Sequence, residues 1–211
     1  MLRIEDYVAG LFEEMPYLPR ELAPWDLVAR LAAVLEAYLS GAQPTSDWEI
    51  RGRSVCVHRH ATIEAGAVLK PPLLIAEDCF VAAHSYLRGG VALGPGVRIG
   101  PGCEVKSSLV MSGTTLAHFN FVGDSIIGRK VNLEAGAVLA NHWNERRDKT
   151  ITVAAGGRRL ATGAVKFGAV VGDRCRIGAN AVLSPGTLLP PDSVVGRLQL
   201  VDQSLAWPRA R

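Results

Sequence analysis

Arg88 and Lys106 are the first residues whose types and spacing suggest chemistry. Each directly follows an aliphatic residue, Leu87 and Val105, and they lie eighteen positions apart. In a chain that repeats every six residues, eighteen positions return a side chain to the same face one coil later. The two cations are therefore expected to stack, outward and close together, unneutralised by a neighbour. Like charges in contact repel unless an anion joins them. A guanidinium offers a planar fork and an ammonium a point charge, and both suit a phosphate. The same spacing also fits two separately solvated surface charges. His118 follows Ala117, two six-residue steps past Lys106, on a neighbouring face that shares an edge with the first. After it the aliphatic phase tightens, with Val122, Ile127 and Leu133 at steps of five, five and six. Repeats break regularity where a site needs it. An imidazole there is a candidate general base, and a structural histidine is the other reading.

The elements that must position these groups follow from hydrophobic period. Aliphatic residues recur every six positions at Val57, Ile63, Leu69, Ile75, Val81, Leu87, Leu93, Ile99, Val105 and Met111, with Ala117 in phase. The pattern returns at Val165, Val171, Ile177, Leu183, Leu189 and Val195. A period of six matches neither a helix nor a long flat strand. It matches short strands joined by tight turns, three to a coil, each with one inward aliphatic. Small or aliphatic residues two positions earlier, among them Cys79, Ser85, Cys103, Leu109, Thr115, Cys175 and Ala181, complete the interior. Residues 1–50 read as a helical segment. Ile4, Tyr7, Val8, Leu11 and Phe12 mark one amphipathic face, and Leu27, Val28, Leu31, Val34, Leu35 and Tyr38 mark a second helix after Pro24. Residues 51–200 read as the coil domain and 201–211 as a tail. Within the coils, residues 142–163 lose the phase and alternate around Gly156-Gly157, which predicts a β-hairpin thrown out as a loop.

Composition narrows the function classes. The 211 residues carry 23 Lys+Arg against 20 Asp+Glu, a net charge of +3, too small to argue for nucleic acid as a partner. No apolar run approaches the ~18–20 residues of a membrane helix, and the N-terminus lacks a basic-then-apolar leader. These features predict a cytoplasmic protein with no membrane partner. Four cysteines, with no CxxC spacing, read as reduced thiols, three of them at small interior positions.

The string from Ala117 to Asn141 carries more than period. Tyr86-Leu87-Arg88-Gly89, Glu104-Val105-Lys106, His118, Asn132 and Asn141 resemble, at matching spacing, a known family. It is the hexapeptide-repeat acyltransferases with a left-handed parallel β-helix, and in particular the acetyltransferase domain of bifunctional N-acetylglucosamine-1-phosphate uridyltransferases and archaeal sugar-1-phosphate nucleotidylyltransferase/acetyltransferases. The likeness covers about residues 75–196, including the hairpin and the return at Lys166-Phe167-Gly168. It implies acetyl transfer from acetyl-CoA, a co-substrate, to the 2-amine of an amino-sugar 1-phosphate, glucosamine 1-phosphate above all. It implies His118 as catalytic base with Glu104 orienting it, and Arg88 and Lys106 on the phosphate. Asn132 and Asn141 would bind the amino sugar, and Ala135, Arg147 and Lys149 the acetyl-CoA. No metal is required. The family assembles as homotrimers with sites between subunits.

Three positions depart from the family pattern. Phe121 stands where a tyrosine is frequent, Glu134 replaces a glycine in the Asn-x-Gly-Ala-Gly turn, and His142-Trp143 follows the second asparagine. No Gly-rich nucleotide loop precedes the coils, so uridyl transfer would fall to a separate nucleotidylyltransferase. Three alternatives stand beside this reading. One is a non-catalytic scaffold for that partner, and another an acyltransferase for a different amino sugar or sugar nucleotide. The third, a zinc enzyme of the γ-carbonic-anhydrase kind, needs three converging histidines, yet position 123, five beyond His118, is glycine.

Overall fold

Units of six residues leave room for only two or three strand residues between turns, and the chain folds accordingly. The computed structural model describes residues 2–41 and 46–203. It is mainly β, a parallel solenoid whose strands recur in three series. Face I stacks Val68–Leu69, the first half of Tyr86–Leu93, the first half of Glu104–Val110, Phe121–Gly123, Val138–Leu139, Val182–Leu183 and Leu200–Val201. Face II stacks Val55–His58, Leu73–Ile75, the second halves of the same two long strands, Ile126–Ile127, Ala169–Val171 and Thr187–Leu189. Face III is a separate seven-stranded sheet running from Thr62–Ile63 to Val194–Val195. An antiparallel strand, Trp48–Ile50, pairs with Val55–His58 at the first coil.

The interior is the aliphatic column that the period predicts, with one correction. Leu87, Leu93, Ile99 and Val105 are fully buried in it, but the next members are Val110 and Leu116, not Met111 and Ala117. The slip lies earlier than the sequence suggests. Two residues, Gly89 and Gly90, are opposed by Ser107 alone between the paired stretches, so Leu93 pairs with Val110 and the coil shortens from eighteen residues to seventeen. Ser108 and Thr114 accordingly replace Leu109 and Thr115 as the small interior companions. Both are buried, and Thr114 donates to the Gly128 carbonyl at 2.7 Å. Val165, expected inward, is 51% exposed because it lies on the loop before the coils resume at Ala169. Cys79, Cys103 and Cys175 fill interior positions as expected. Burial pushes the Cys79 thiol up to about 12, and it donates to the Gly94 carbonyl. This is a packing group, not a thiolate.

Leu109 and Met111 point the other way, into a second core. With Ala92, Ile126, Val170 and Leu188 they make face II apolar on its outer side. Helix α2, spanning Pro24–Gly41, lays Leu27, Val28, Leu31 and Leu35 across that surface, and Trp143, Ile151, Val153 and Phe167 of the inserted loop cover the rest. Trp25 of α2 meets the Phe167 ring edge-on at 6.0 Å. Fully burying each such leucine contributes roughly 1.5–3 kcal/mol. The segment before α2 is not the single helix its spacing predicts. A 3-10 turn at Ile4–Asp6 and a short α1 at Leu11–Glu14 are separated by Gly10, whose φ of 71° lies outside the helical region. The inserted loop does contain the expected hairpin, as Thr152–Ala155 against Arg158–Ala161. Most of the tail predicted at 201–211 lies outside the described residues.

Polar bonds fix the N-terminal segment to the corner between faces II and III. Glu14 accepts from the Ser112 N–H at 2.9 Å, the Ser112 hydroxyl at 2.8 Å and Arg129 Nε at 3.1 Å. Asp173 accepts from the backbone N–H groups of Arg129 at 2.8 Å and Ala9 at 3.1 Å. Removing the Glu14 carboxylate leaves these donors unpaired in a half-buried site, which costs on the order of 1–3 kcal/mol. Glu14→Ala is expected to lower the urea midpoint accordingly with an unchanged slope.

Candidate active site

The structure brings Arg88, Glu104, Lys106 and Asn141 to one corner, between faces I and II. Register places Arg88 beside Lys106 on neighbouring strands, as eighteen-residue spacing predicts. The expectation that both cations lack a partner is overturned. Arg88 donates to Glu104 Oε1 through Nε at 2.8 Å and Nη2 at 2.6 Å. Lys106 Nζ meets both oxygens of Asp124, at 2.9 and 2.8 Å. The Arg88–Glu104 pair is about one-third exposed, at 36% and 32%. The Lys106–Asp124 pair is not, at 17% and 8%. Asn141 Nδ2 also donates to Asp124. Asp124 is the residue that sequence reasoning missed. Its signal was present, because it lies eighteen positions beyond Lys106.

His118 lies at the other edge of face I, on the corner shared with face III. It follows the inward Leu116 by two residues, so it is on a turn, exposed, and makes no side-chain hydrogen bond among the described residues. Glu104, expected to orient it, is committed to Arg88 instead. The turn is fixed by its neighbours one coil away. Gly136 N–H donates to the His118 carbonyl at 2.8 Å, Phe119 N–H donates to the Pro101 carbonyl at 3.1 Å, and the Ala135 carbonyl accepts from Asn180 N–H at 2.9 Å. The Ala135 N–H has no acceptor among the described residues, and a free, aimed amide can hold a developing oxyanion. Phe119 holds φ at 51° while 71% exposed. The same left-handed conformation recurs at other turns of the solenoid, at Lys130, Arg174, Asn180 and Leu198 among them, so it belongs to the coil geometry and does not mark this turn out. Gly100 is required beneath this corner, since a Cβ there would run into the backbone carbonyl of Ala117. Gly100→Ala is expected to displace the His118 turn and destabilise the fold by about 1–3 kcal/mol. Thermal unfolding with proteolysis across residues 117–120 checks it.

The remaining predicted residues are spread over three surfaces. Asn132 lies beyond the corner on face III, exposed, in register with Thr115 and Arg176. It lines a shallow groove of about 260 Å³ with Glu134, Arg176 and Arg197. Glu134 is not a free carboxylate. It accepts from Ala179 N–H at 2.9 Å and from Arg197 at 3.0 and 3.3 Å, and the Arg197 guanidinium holds its pKa below the usual carboxylate range. Glu64 does the same at an earlier coil, accepting from Ala83 N–H at 2.7 Å. Both belong to Glu-Ala-Gly tripeptides, so Glu134 is a coil-capping residue of a kind the chain uses twice. Phe121 lies between the two edges of face I. A Cβ at Gly123 would run into both its ring tip and the Asn141 amide. Arg147 is exposed on the inserted loop, and Lys149 Nζ lies 3.5 Å from His142 Nε2.

A family model described as the GMPPB C-terminal domain matches residues 81–194, just over half of the chain. The chain is 33% identical over 155 residues to the bifunctional sugar-1-phosphate nucleotidylyltransferase/acetyltransferase of Sulfurisphaera tokodaii, covering 71% of this chain and 38% of that protein. It is 31% identical over 126 residues to the bifunctional protein GlmU of Methanococcus vannielii, covering 60% and 30%. The GlmU of Chromobacterium violaceum is 29% identical over 146 residues, covering 67% and 28%. The chain thus spans about a third of the length of these relatives.

Proposed function

The chain belongs to the GMPPB C-terminal domain family, and from that membership and its relatives we propose that it transfers acetyl from acetyl-CoA to the amine of an amino-sugar 1-phosphate, glucosamine 1-phosphate first. One observation carries the proposal. An exposed imidazole, His118, stands one coil from the Ala135 N–H, which lacks an acceptor among the described residues, on the same face as the Arg88–Lys106 corner. The acceptor nitrogen attacks the thioester carbon, and the new C–N bond pushes an electron pair onto oxygen. The Ala135 N–H holds that oxyanion. His118 takes the proton from nitrogen. Collapse breaks the C–S bond, and the same proton passes to the departing thiolate, giving the N-acetyl sugar phosphate and free coenzyme A. Arg88 takes the sugar phosphate with Lys106 beside it. A phosphate on Arg88 releases Glu104, whose carboxylate is then free to orient His118. Asn141 and Asn132 position the amino sugar, and Arg147 and Lys149 meet the coenzyme A phosphates.

Asn132 projects from face III, so the proposal places the complete site between copies in a homotrimer. The outward residues of face I support this, because Phe121, Val138, Val182 and Leu200 form an apolar column above Glu104, with Tyr86 and Val68 below it, and α2 does not cover them. A second reading, a scaffold for a separate nucleotidylyltransferase, is favoured by one fact: Arg88 and Lys106 already carry carboxylate partners. A coenzyme A titration separates the two. Saturable binding supports the transferase, and no binding supports the scaffold.

A further inference from the structure

Three side chains on successive coils meet where the inserted loop leaves and rejoins the solenoid. Asp124 lies between Lys106 and Asn141, and its carboxylate is only 8% exposed. Its backbone is fixed on both sides. Asp124 N–H donates to the Lys106 carbonyl at 2.8 Å, and the Asp124 carbonyl accepts from Gly168 N–H at 2.9 Å. The Asn141 carbonyl accepts from Phe167 N–H at 3.0 Å, so the two ends of the loop are tied down beside Asp124. Both carboxylate oxygens then take Lys106 Nζ, and one of them also takes Asn141 Nδ2. A carboxylate only accepts hydrogen bonds, whereas a primary amide has a donating end and an accepting end. Asp124 therefore fixes which end of Asn141 faces inward. The NH2 is committed to the carboxylate, and Oδ1 is turned away from it with no donor among the described residues. Solvent reaches Oδ1, because the one buried side-chain nitrogen or oxygen without a partner among those residues is the Tyr17 hydroxyl.

We propose that Asp124 is a positioning residue that sets the polarity of Asn141, so that Asn141 Oδ1 reads a hydrogen-bond donor at C2 of the acceptor. The inference rests on the transferase reading, in which Asn141 positions the amino sugar. An amine offers N–H groups to Oδ1. A C2 substituent that only accepts meets lone pairs there and is rejected. Alanine at 124 removes the carboxylate and leaves room for water, which donates as readily as it accepts, and Asn141 is then free to turn either end outward. Glucosamine 1-phosphate and 2-deoxy-2-fluoroglucose 1-phosphate are the probes, because fluorine accepts weakly and cannot donate. Contacts to the phosphate are common to both and cancel in the ratio of their dissociation constants. Calorimetric titration of the full chain is expected to show the amine bound about tenfold tighter than the fluoro sugar. Asp124→Ala and Asn141→Ala are each expected to reduce that preference about threefold to tenfold. The double variant should go no lower, since Asp124 acts through Asn141. A purely structural loss weakens both ligands alike and leaves the ratio unchanged. If Asp124→Ala does not fold, the same substitution in a Lys106→Met chain, where no ammonium is stranded, gives the ratio instead. The proposal is overturned if the wild type binds both sugars equally, or if the chain without Asp124 keeps the full preference. A wild type that binds neither sugar phosphate and transfers no acetyl overturns the transferase reading, and this inference with it.

Discussion

His118→Ala is expected to lower acetyl transfer about 10²–10⁴-fold, the usual contribution of a positioned general base. The residue suits this test because its side chain holds nothing together. It is exposed and makes no side-chain hydrogen bond among the described residues, and its backbone bond to Gly136 survives truncation. Melting temperature and circular dichroism should therefore match the wild type while turnover falls. The fall should appear in kcat, with the Michaelis constant for the sugar phosphate little changed, since His118 acts on a proton in flight. A variant that keeps near-normal turnover removes His118 from the chemistry.

Lys106→Met is expected to cost about 3–5 kcal/mol of stability, because removing one member of a buried ion pair strands the other. Asp124 is only 8% exposed, and without Lys106 its named side-chain partner is the Asn141 amide. Adding Asp124→Asn in the same chain should restore much of the loss. Arg88→Ala provides the contrast. Its pair with Glu104 is about one-third exposed, where ion pairs contribute ~0–1 kcal/mol. The same substitution should raise the Michaelis constant for a phosphorylated acceptor. Chemical denaturation of all three variants, with unchanged slopes, checks the stability half. Equal small losses at Lys106 and Arg88 would contradict the distinction between a structural cation and an available one.

The coil interior was legible because each hexad places one aliphatic inward. The period failed where apolar residues adjoin. In Leu109-Val110-Met111 all three are hydrophobic, and pattern alone cannot tell that Val110 faces the coil while its neighbours face α2. The one-residue deletion opposite Gly89-Gly90 is hidden by that run, and the inward position two residues before His118 moved with it. The first helix misled for a related reason. Ile4, Val8, Leu11 and Phe12 are buried and Tyr7 is half-buried, but Gly10 breaks the backbone and the latch to Arg129 and Asp173 sets the path. At the polar corner, eighteen-residue spacing correctly put Arg88 beside Lys106. Of their carboxylates, Asp124 lies at the same eighteen-residue spacing from Lys106, whereas Glu104, sixteen residues from Arg88, falls outside it. In sequence Glu134 is only a departure from the glycine of the family turn; in the fold it serves the coil stack, as Glu64 does.

Incubation of the intact protein with acetyl-CoA and a panel of amino-sugar phosphates, following free thiol and product mass together, probes the chemistry at its source. One thiol is expected to be released per N-acetylated sugar phosphate, with glucosamine 1-phosphate preferred and no release from the unphosphorylated sugar at the same concentration. Absence of thiol release with every acceptor on the panel, from a protein that is folded and pure, contradicts it.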